Sequence, residues 1–213
     1  MKLLGCLCAA MLSDADMKNI LKKVFTVIIC FSILCVTGCS KEKSATLISN
    51  ANLSSSKYVL GDSMGDYLVT DWHDYDYKFS QVLKDKKAIV LNFWFINCVP
   101  CQMEFPYLQK AYEQYEDDIE VIAINPVDSN FNDILKYVQK NELMLPVAQG
   151  EEAWISAFDL QGFPTTVVID RYGKVAFMHT GAITEEGVFE KIFEFFSNDS
   201  YKQSIIRNIS DIQ

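Results

Sequence analysis

Cys98 and Cys101, separated by Val99 and Pro100, are the residues of this chain best suited to chemistry. They follow an apolar, strand-like run, Ala88-Ile89-Val90-Leu91-Asn92-Phe93, and they open a helix-like one. A Cys-x-x-Cys pair at a strand-to-helix junction is the arrangement that thiol–disulfide exchange needs. The free N–H groups of a helix start point toward the first sulfur and favour its thiolate. The second sulfur follows one turn later and can close a disulfide with the first. Val99 and Pro100 suit a first turn, where a proline loses no helical hydrogen bond.

The elements around this pair alternate. Ala88–Phe93 reads as a buried strand, and Phe105, Leu108, Tyr112 and Tyr115 give the following helix one apolar face. Pro106 lies inside that pattern and is expected to kink the helix or to mark a break near its start. Ile119–Ile124 is the next strand, stopped by Asn125-Pro126, and Phe131, Ile134, Leu135 and Val138 line the next helix. A short strand over Leu145–Ala148 and a short helix over Glu152–Phe158 come next. Thr165–Ile169 and Lys174–His179 read as two strands joined by the turn Asp170-Arg171-Tyr172-Gly173. Thr184 is placed to cap a last helix, with Glu185 and Glu186 in its first turn and Val188, Phe189, Ile192, Phe193 and Phe196 as its buried stripe. Ahead of all this, Tyr67–Phe79 alternates aromatic and acidic residues and reads as an edge hairpin with one solvated face. The sum is an α/β sandwich with a mixed central sheet. The polar tail from Ser197 holds Ile205, Ile209 and Ile212 at the spacing of a short amphipathic helix.

The length, 213 residues, suffices for one domain with a real core. A formal net charge of −9 and the absence of a basic patch interleaved with aromatics disfavour nucleic-acid binding.

The N-terminus sets the compartment. Lys18, Lys22 and Lys23 precede an apolar run from Val24 to Val36, which ends in Leu34-Cys35-Val36-Thr37-Gly38-Cys39. That run is shorter than the roughly 20 residues that span a bilayer. Its ending resembles a bacterial lipobox, in which cleavage precedes the cysteine and the sulfur carries lipid. The alternative is an uncleaved single-pass anchor; either places the remaining chain on the membrane, outside the cytoplasm. Met17 begins a complete signal peptide, so residues Met1–Asp16 read as an over-extended start.

Cleavage removes Cys6, Cys8, Cys30 and Cys35. With Cys39 lipidated, Cys98 and Cys101 are the remaining pair, and a lone close pair in a disulfide-permissive compartment points to redox work. The part from Cys39 onward carries 15 basic and 26 acidic side chains, so lipid rather than charge would anchor it. The expected organisation is a signal peptide over 1–38, a lipidated cysteine and flexible tether over 39–57, a domain over 58–196 and a tail over 197–213.

The chain resembles the TlpA/ResA family of membrane-tethered thioredoxin-like proteins. The resemblance is carried by Val90-Leu91-Asn92-Phe93-Trp94, Cys98-Val99-Pro100-Cys101 and Glu104-Phe105-Pro106. It continues in Gly162-Phe163-Pro164-Thr165-Thr166 and in the run from Val168 to Val175. It implies a thioredoxin-like three-layer sandwich with a mixed central β-sheet and an N-terminal β-hairpin extension. It makes Cys98 the exposed nucleophile and Cys101 the more buried resolving thiol. Pro164 would be the family's cis-proline, and the Phe163 backbone would pair with a bound substrate strand; Trp94 completes the expected substrate-binding set. Glu104 matches a glutamate that ResA-like members keep near the active site. Three residues past Cys101, it falls on nearly the same helix face and could exchange protons with the thiols. Asn92 stands where thioredoxin has a buried aspartate, and it cannot take the Cys101 proton. Asn97 departs from the tryptophan usual in the family, which leaves a more polar rim.

A zinc site lacks ligands, since His73 and His179 are the sole histidines and neither sits near the cysteines in sequence. Neither metal nor cofactor is expected. The resulting expectation is an extracytoplasmic, lipid-anchored, monomeric thiol–disulfide oxidoreductase that reduces disulfides in exported client proteins. Its electrons would come from a membrane donor of the CcdA/DsbD type. Apocytochrome c, an envelope methionine sulfoxide reductase and misoxidised proteins are candidate clients. The alternative is a non-catalytic binding module whose disulfide is structural.

Overall fold

The computed structural model describes residues 57–202 and 206–211. The expected leader, the lipidation site Cys39 and nearly all of the tether lie outside the described residues. A short antiparallel hairpin comes first, β1 (Leu68–Thr70) with β2 (Asp76–Lys78), as its alternating aromatic and acidic residues predict. Helix α1 (Phe79–Asp85) leads into β3 (Ala88–Phe93), all six residues of which are buried.

β3 is the central strand, with two strands on each side of it. It pairs in parallel with β4 (Ile119–Asn125) and antiparallel with β6 (Thr165–Asp170). β5 (Val147–Gln149) lies outside β4 in parallel, and β7 (Val175–Thr180) lies antiparallel outside β6. The sheet order is therefore β5-β4-β3-β6-β7. Side chains alternate across it. Ala88 and Val90 join one core with α2 (Val99–Tyr115), α3 (Phe131–Lys140) and α5 (Val188–Ser197). Ile89, Leu91 and Phe93 join the other with the hairpin, α1 and α4 (Ala153–Ala157). The stripe Val188, Phe189, Ile192, Phe193 and Phe196 is buried as its spacing predicts, at roughly 1.5 to 3 kcal/mol for each large side chain.

The course of α2, the start of α5 and the tail add to the expected picture. α2 runs through Pro106 as one helix, although the ring there leaves the Gln102 carbonyl without its helical N–H. α5 starts at Val188, not after Thr184. Gly187, at φ 80°, precedes it, and the backbone just past Thr184's neighbour Ile183 is committed elsewhere, as described below. The tail is held at Ile206; of the expected isoleucine stripe, Ile205 and Ile212 lie outside the described residues. The Ile206 N–H donates to the Ala176 carbonyl at 2.9 Å, and its side chain is buried. A short 3-10 turn over Ile209–Asp211 follows. Nearby, the buried Asp170 ties the β6–β7 turn to the tail. Its carboxylate accepts from the N–H groups of Tyr172 and Lys174 and from the Tyr201 hydroxyl, each at 2.9 Å.

Candidate active site

The loop from Trp94 to Asn97 leaves the C-terminal end of β3, the end at which open α/β sheets collect functional groups. Cys98 is the N-cap of α2, in extended conformation, and Cys101 lies one turn in. The two are joined as a disulfide, with 5.2 Å between Cα atoms. The Cys98 sulfur accepts the Cys101 backbone N–H at 3.2 Å, so the helix-start amide aims at it as the sequence predicts. Their exposures correct one expectation: Cys98 shows 3% of its surface and Cys101 shows 1%. In the disulfide state the first sulfur is nearly as covered as the second, because Cys98 packs into the α2 core beside Trp94 and Phe105.

Glu104 comes one turn after Cys101 and is fully buried. Its Oε1 accepts from Asn92 Nδ2 at 2.7 Å, and its Oε2 accepts from the Ile183 N–H at 2.7 Å. Burial pushes its carboxyl up to about 7, against the downward pull of the Ile183 and Asn92 hydrogen bonds. A group that titrates there can take and return protons near neutrality. Asn92 faces α2 because it shares the β3 face of Ala88 and Val90. Its Nδ2 also lies 3.3 Å from Thr166 Oγ1 on β6, its partner in register. The Asn92 Oδ1 is buried with no hydrogen-bond donor among the described residues.

The Phe163–Pro164 bond is cis, as the resemblance implies. β6 starts at the next residue, Thr165, which pairs with Phe93, so this turn abuts the cysteine loop. The Phe163 ring meets Phe95 edge-on, with centroids 5.5 Å apart. Among the described residues no hydrogen bond uses the Phe163 backbone groups. The Pro164 carbonyl accepts from the Gly181 N–H at 2.9 Å.

Trp94 departs from its expected substrate-binding place. It is fully buried, edge-on to Phe105 at 5.2 Å and tilted against Tyr137 at 5.2 Å. Its side chain lies wholly in the core on the α2 side of the sheet and presents no surface. The exposed apolar groups beside Cys98 are Val99, 62% exposed, and Met103, 57% exposed, one turn apart on α2. Asn97 is exposed next to them. Sequence reading gave Val99 a place only in the first helical turn and passed over Met103 and Asp128. That carboxylate lies in the loop after β4 and accepts the Ile96 N–H at 2.7 Å. Its position after the C-terminal end of a parallel strand was the available signal.

His73 lies in the hairpin and His179 on β7, where burial lowers its pKa. Among the described residues no cluster of three His, Cys, Asp or Glu side chains could hold a metal ion.

Fold and site together define a thioredoxin-like protein with a redox disulfide at a helix start. Residues 61–193 match the Redoxin family. The chain is 31% identical over 155 residues to the thiol-disulfide oxidoreductase ResA of Bacillus cereus, a match covering 69% of this chain and 86% of that one. It is 34% identical over 107 residues to ResA of Halalkalibacterium halodurans, covering 49% of this chain and 60% of the relative's length. A Chlorobium tepidum structure described as a thiol:disulfide interchange protein DsbE superposes with a TM-score of 0.53 at 26% identity, over 60% of this chain and 89% of that one. The chain belongs to the Redoxin family, among its ResA-like thiol–disulfide oxidoreductases.

Proposed function

We propose that this protein is a membrane-tethered reductant that acts outside the cytoplasm on disulfides of exported client proteins. The observation that carries the reading is the Cys98–Cys101 disulfide capping α2 one turn from the buried Glu104. In the reduced protein the Cys98 thiolate attacks a client disulfide. A mixed disulfide forms and one client thiolate leaves. Cys101 then gives its proton to the Glu104 carboxylate and attacks the Cys98 sulfur. The second client thiolate leaves, and the enzyme holds its own disulfide. The client gains two electrons and takes up two protons, one of which Glu104 can return through solvent. A membrane donor of the CcdA/DsbD type restores the dithiol.

Client docking falls to the cis-proline turn and to the ridge of Val99 and Met103. The free Phe163 backbone pairs with an extended chain, and the ridge receives apolar residues flanking its disulfide. Export and anchoring rest on the lysine-flanked apolar run and on Cys39, and a monomer suits one small domain without heptads. Replacing Cys39 with Ala and labelling cells with palmitate tests the anchor: label lost with the cysteine supports it.

The deciding experiment is the reduction potential of the Cys98–Cys101 pair in the full-length protein. A value near −270 mV, about that of thioredoxin, supports a reductant. A value near −120 mV, about that of DsbA, makes it a disulfide donor instead. A pair that does not cycle in redox buffer leaves a binding module with a structural disulfide.

A further inference from the structure

The peptide groups of Ile96, two residues before Cys98, are gripped from both sides. The Ile96 N–H donates to Asp128 Oδ2 at 2.7 Å, and the Ile96 carbonyl accepts from Gln102 Nε2 at 3.0 Å. Asp128 is itself tightly seated. The same Oδ2 accepts from Asn125 Nδ2 at 2.8 Å, and Asn125 is fully buried. The Asn125 Oδ1 accepts the N–H groups of Val127 at 3.1 Å and of Asp128 at 2.9 Å. From β5, Gln149 Nε2 donates to the Asp128 carbonyl at 3.0 Å, and the Gly150 N–H donates to the Asn125 carbonyl at 2.8 Å. Gly150 allows this closeness, since a Cβ there would sit 2.6 Å from Ile124 Cγ2. The loop after β3 and the loop after β4 are thus joined at the Asp128 carboxylate, and the end of β5 holds the backbone carbonyls of Asp128 and Asn125.

Such fastening matters for the sulfur. Cys98 is extended, its N–H donates to the Phe95 carbonyl at 3.1 Å, and its sulfur meets the Cys101 N–H. A turn of the Ile96 peptide swings the whole residue, and the sulfur leaves the helix-start amides that stabilise a thiolate. Gln102 stands in the first turn of α2, so its bond ties the loop to the same helix that Cys98 caps. A hydrogen bond to a carboxylate is about twice as strong as a neutral one, which makes Asp128 the firmer jaw.

We propose that Asp128 and Gln102 clamp the two peptide groups that flank Ile96, and that Asp128 is the positioning residue that keeps the Cys98 sulfur on the N-terminus of α2. The assignment rests on the exchange reading, in which Cys98 attacks as a thiolate. It concerns neither cysteine nor Glu104 directly, so it can fail alone.

The test uses the full-length chain carrying Cys101→Ser, so that Cys98 is the one thiol on the tryptic peptide ending at Lys110. Its alkylation by iodoacetamide is timed at about pH 6, below the ordinary cysteine range. Asp128→Ala and Gln102→Ala are each expected to slow it by at least about 3-fold, with the double variant no slower than Asp128→Ala, the coupling expected of two groups that hold one residue. Asp128→Asn keeps an acceptor oxygen and is expected to stay closer to the parent than Asp128→Ala. Unchanged rates, or effects that simply multiply, overturn the clamp. If Asp128→Ala does not accumulate, Gln102→Ala decides, because that side chain is exposed and its loss spares the core. In the otherwise unaltered protein, a disulfide that fails to cycle sinks the exchange reading. Cycling alongside unaffected clamp variants sinks the clamp alone.

Discussion

The carboxylate of Glu104 and the amide of Asn92 meet at 2.7 Å, both side chains fully buried between β3 and α2. An acid and a neutral amide share a place where a second acid would leave two charges to neutralise. Asn92 supplies a donor that holds Glu104 ionised more readily than burial alone would allow. This balance puts the carboxyl close to neutrality and yields the first predictions.

Glu104 makes stability depend on pH. Its folded pKa is raised from 4.5 to about 7, so the folded state binds the proton more tightly than the unfolded chain. The stability it contributes is full below about pH 4.5 and is lost as pH rises through about 7. Glu104→Gln removes this slope. Denaturant unfolding should show the variant gaining on the parent between pH 5 and pH 8, by on the order of 2 to 3 kcal/mol. The Asn92 Oδ1, which has no donor among the described residues of the parent, can take a glutamine N–H after a flip of the amide. Equal pH slopes for the two proteins would contradict the assignment.

The same substitution should slow release of client from the mixed disulfide. Loss of a general base costs about 100-fold or more. Single-turnover reduction of a model disulfide should therefore show normal formation of the mixed species and delayed resolution. A normal resolution rate would remove Glu104 from the chemistry.

Asn92→Asp places two carboxylates in one buried site, and one of them must then hold a proton. The pH profile of mixed-disulfide resolution should move to the alkaline side. Asn92→Ala removes a donor from Glu104 and should move it the same way. A profile that stays put in both would show that the amide leaves the acid untouched.

Cys101→Ser should accumulate covalent adducts with disulfide-bearing proteins, visible on non-reducing gels and lost on addition of reductant. Cys98→Ser should accumulate far fewer. Adducts that form equally well in both would reverse the roles of the two sulfurs.

Val99→Glu and Met103→Glu should weaken reduction of protein disulfides by about 10-fold or more together, as expected for losing apolar anchors at a docking surface. Reduction of a small aromatic disulfide should barely change. Equal losses on both substrates would mean that the ridge supports the fold and not the docking.

Much of this was legible from residue types alone. Apolar runs revealed β3, β4, β6 and β7, because strands of a covered sheet are mostly apolar. The five-residue stripe of α5 was plain for the same reason. The cysteine pair and its place at a helix start followed from local order. Boundaries were harder. Thr184 looked like a cap, yet the neighbouring Ile183 N–H is spent on Glu104, a partner 79 positions away. Ile206 joins β7 through a backbone bond that its own neighbourhood does not announce.

The sequence by itself determined the redox pair, the apolar faces that build a mixed sheet, and an acid one helical turn beyond the second cysteine. These depend on spacings of a few residues, which local geometry turns directly into shared faces and turns. Tertiary structure decided that Trp94 lies beneath the site and not at its surface, and that Cys98 is nearly as covered as Cys101. It also decided that Asn92 and Ile183 converge on Glu104, and that Asp128 grips the loop before the nucleophile. Each depends on which strands become neighbours and in what register, a choice made by burial summed over the whole core and written in no single segment.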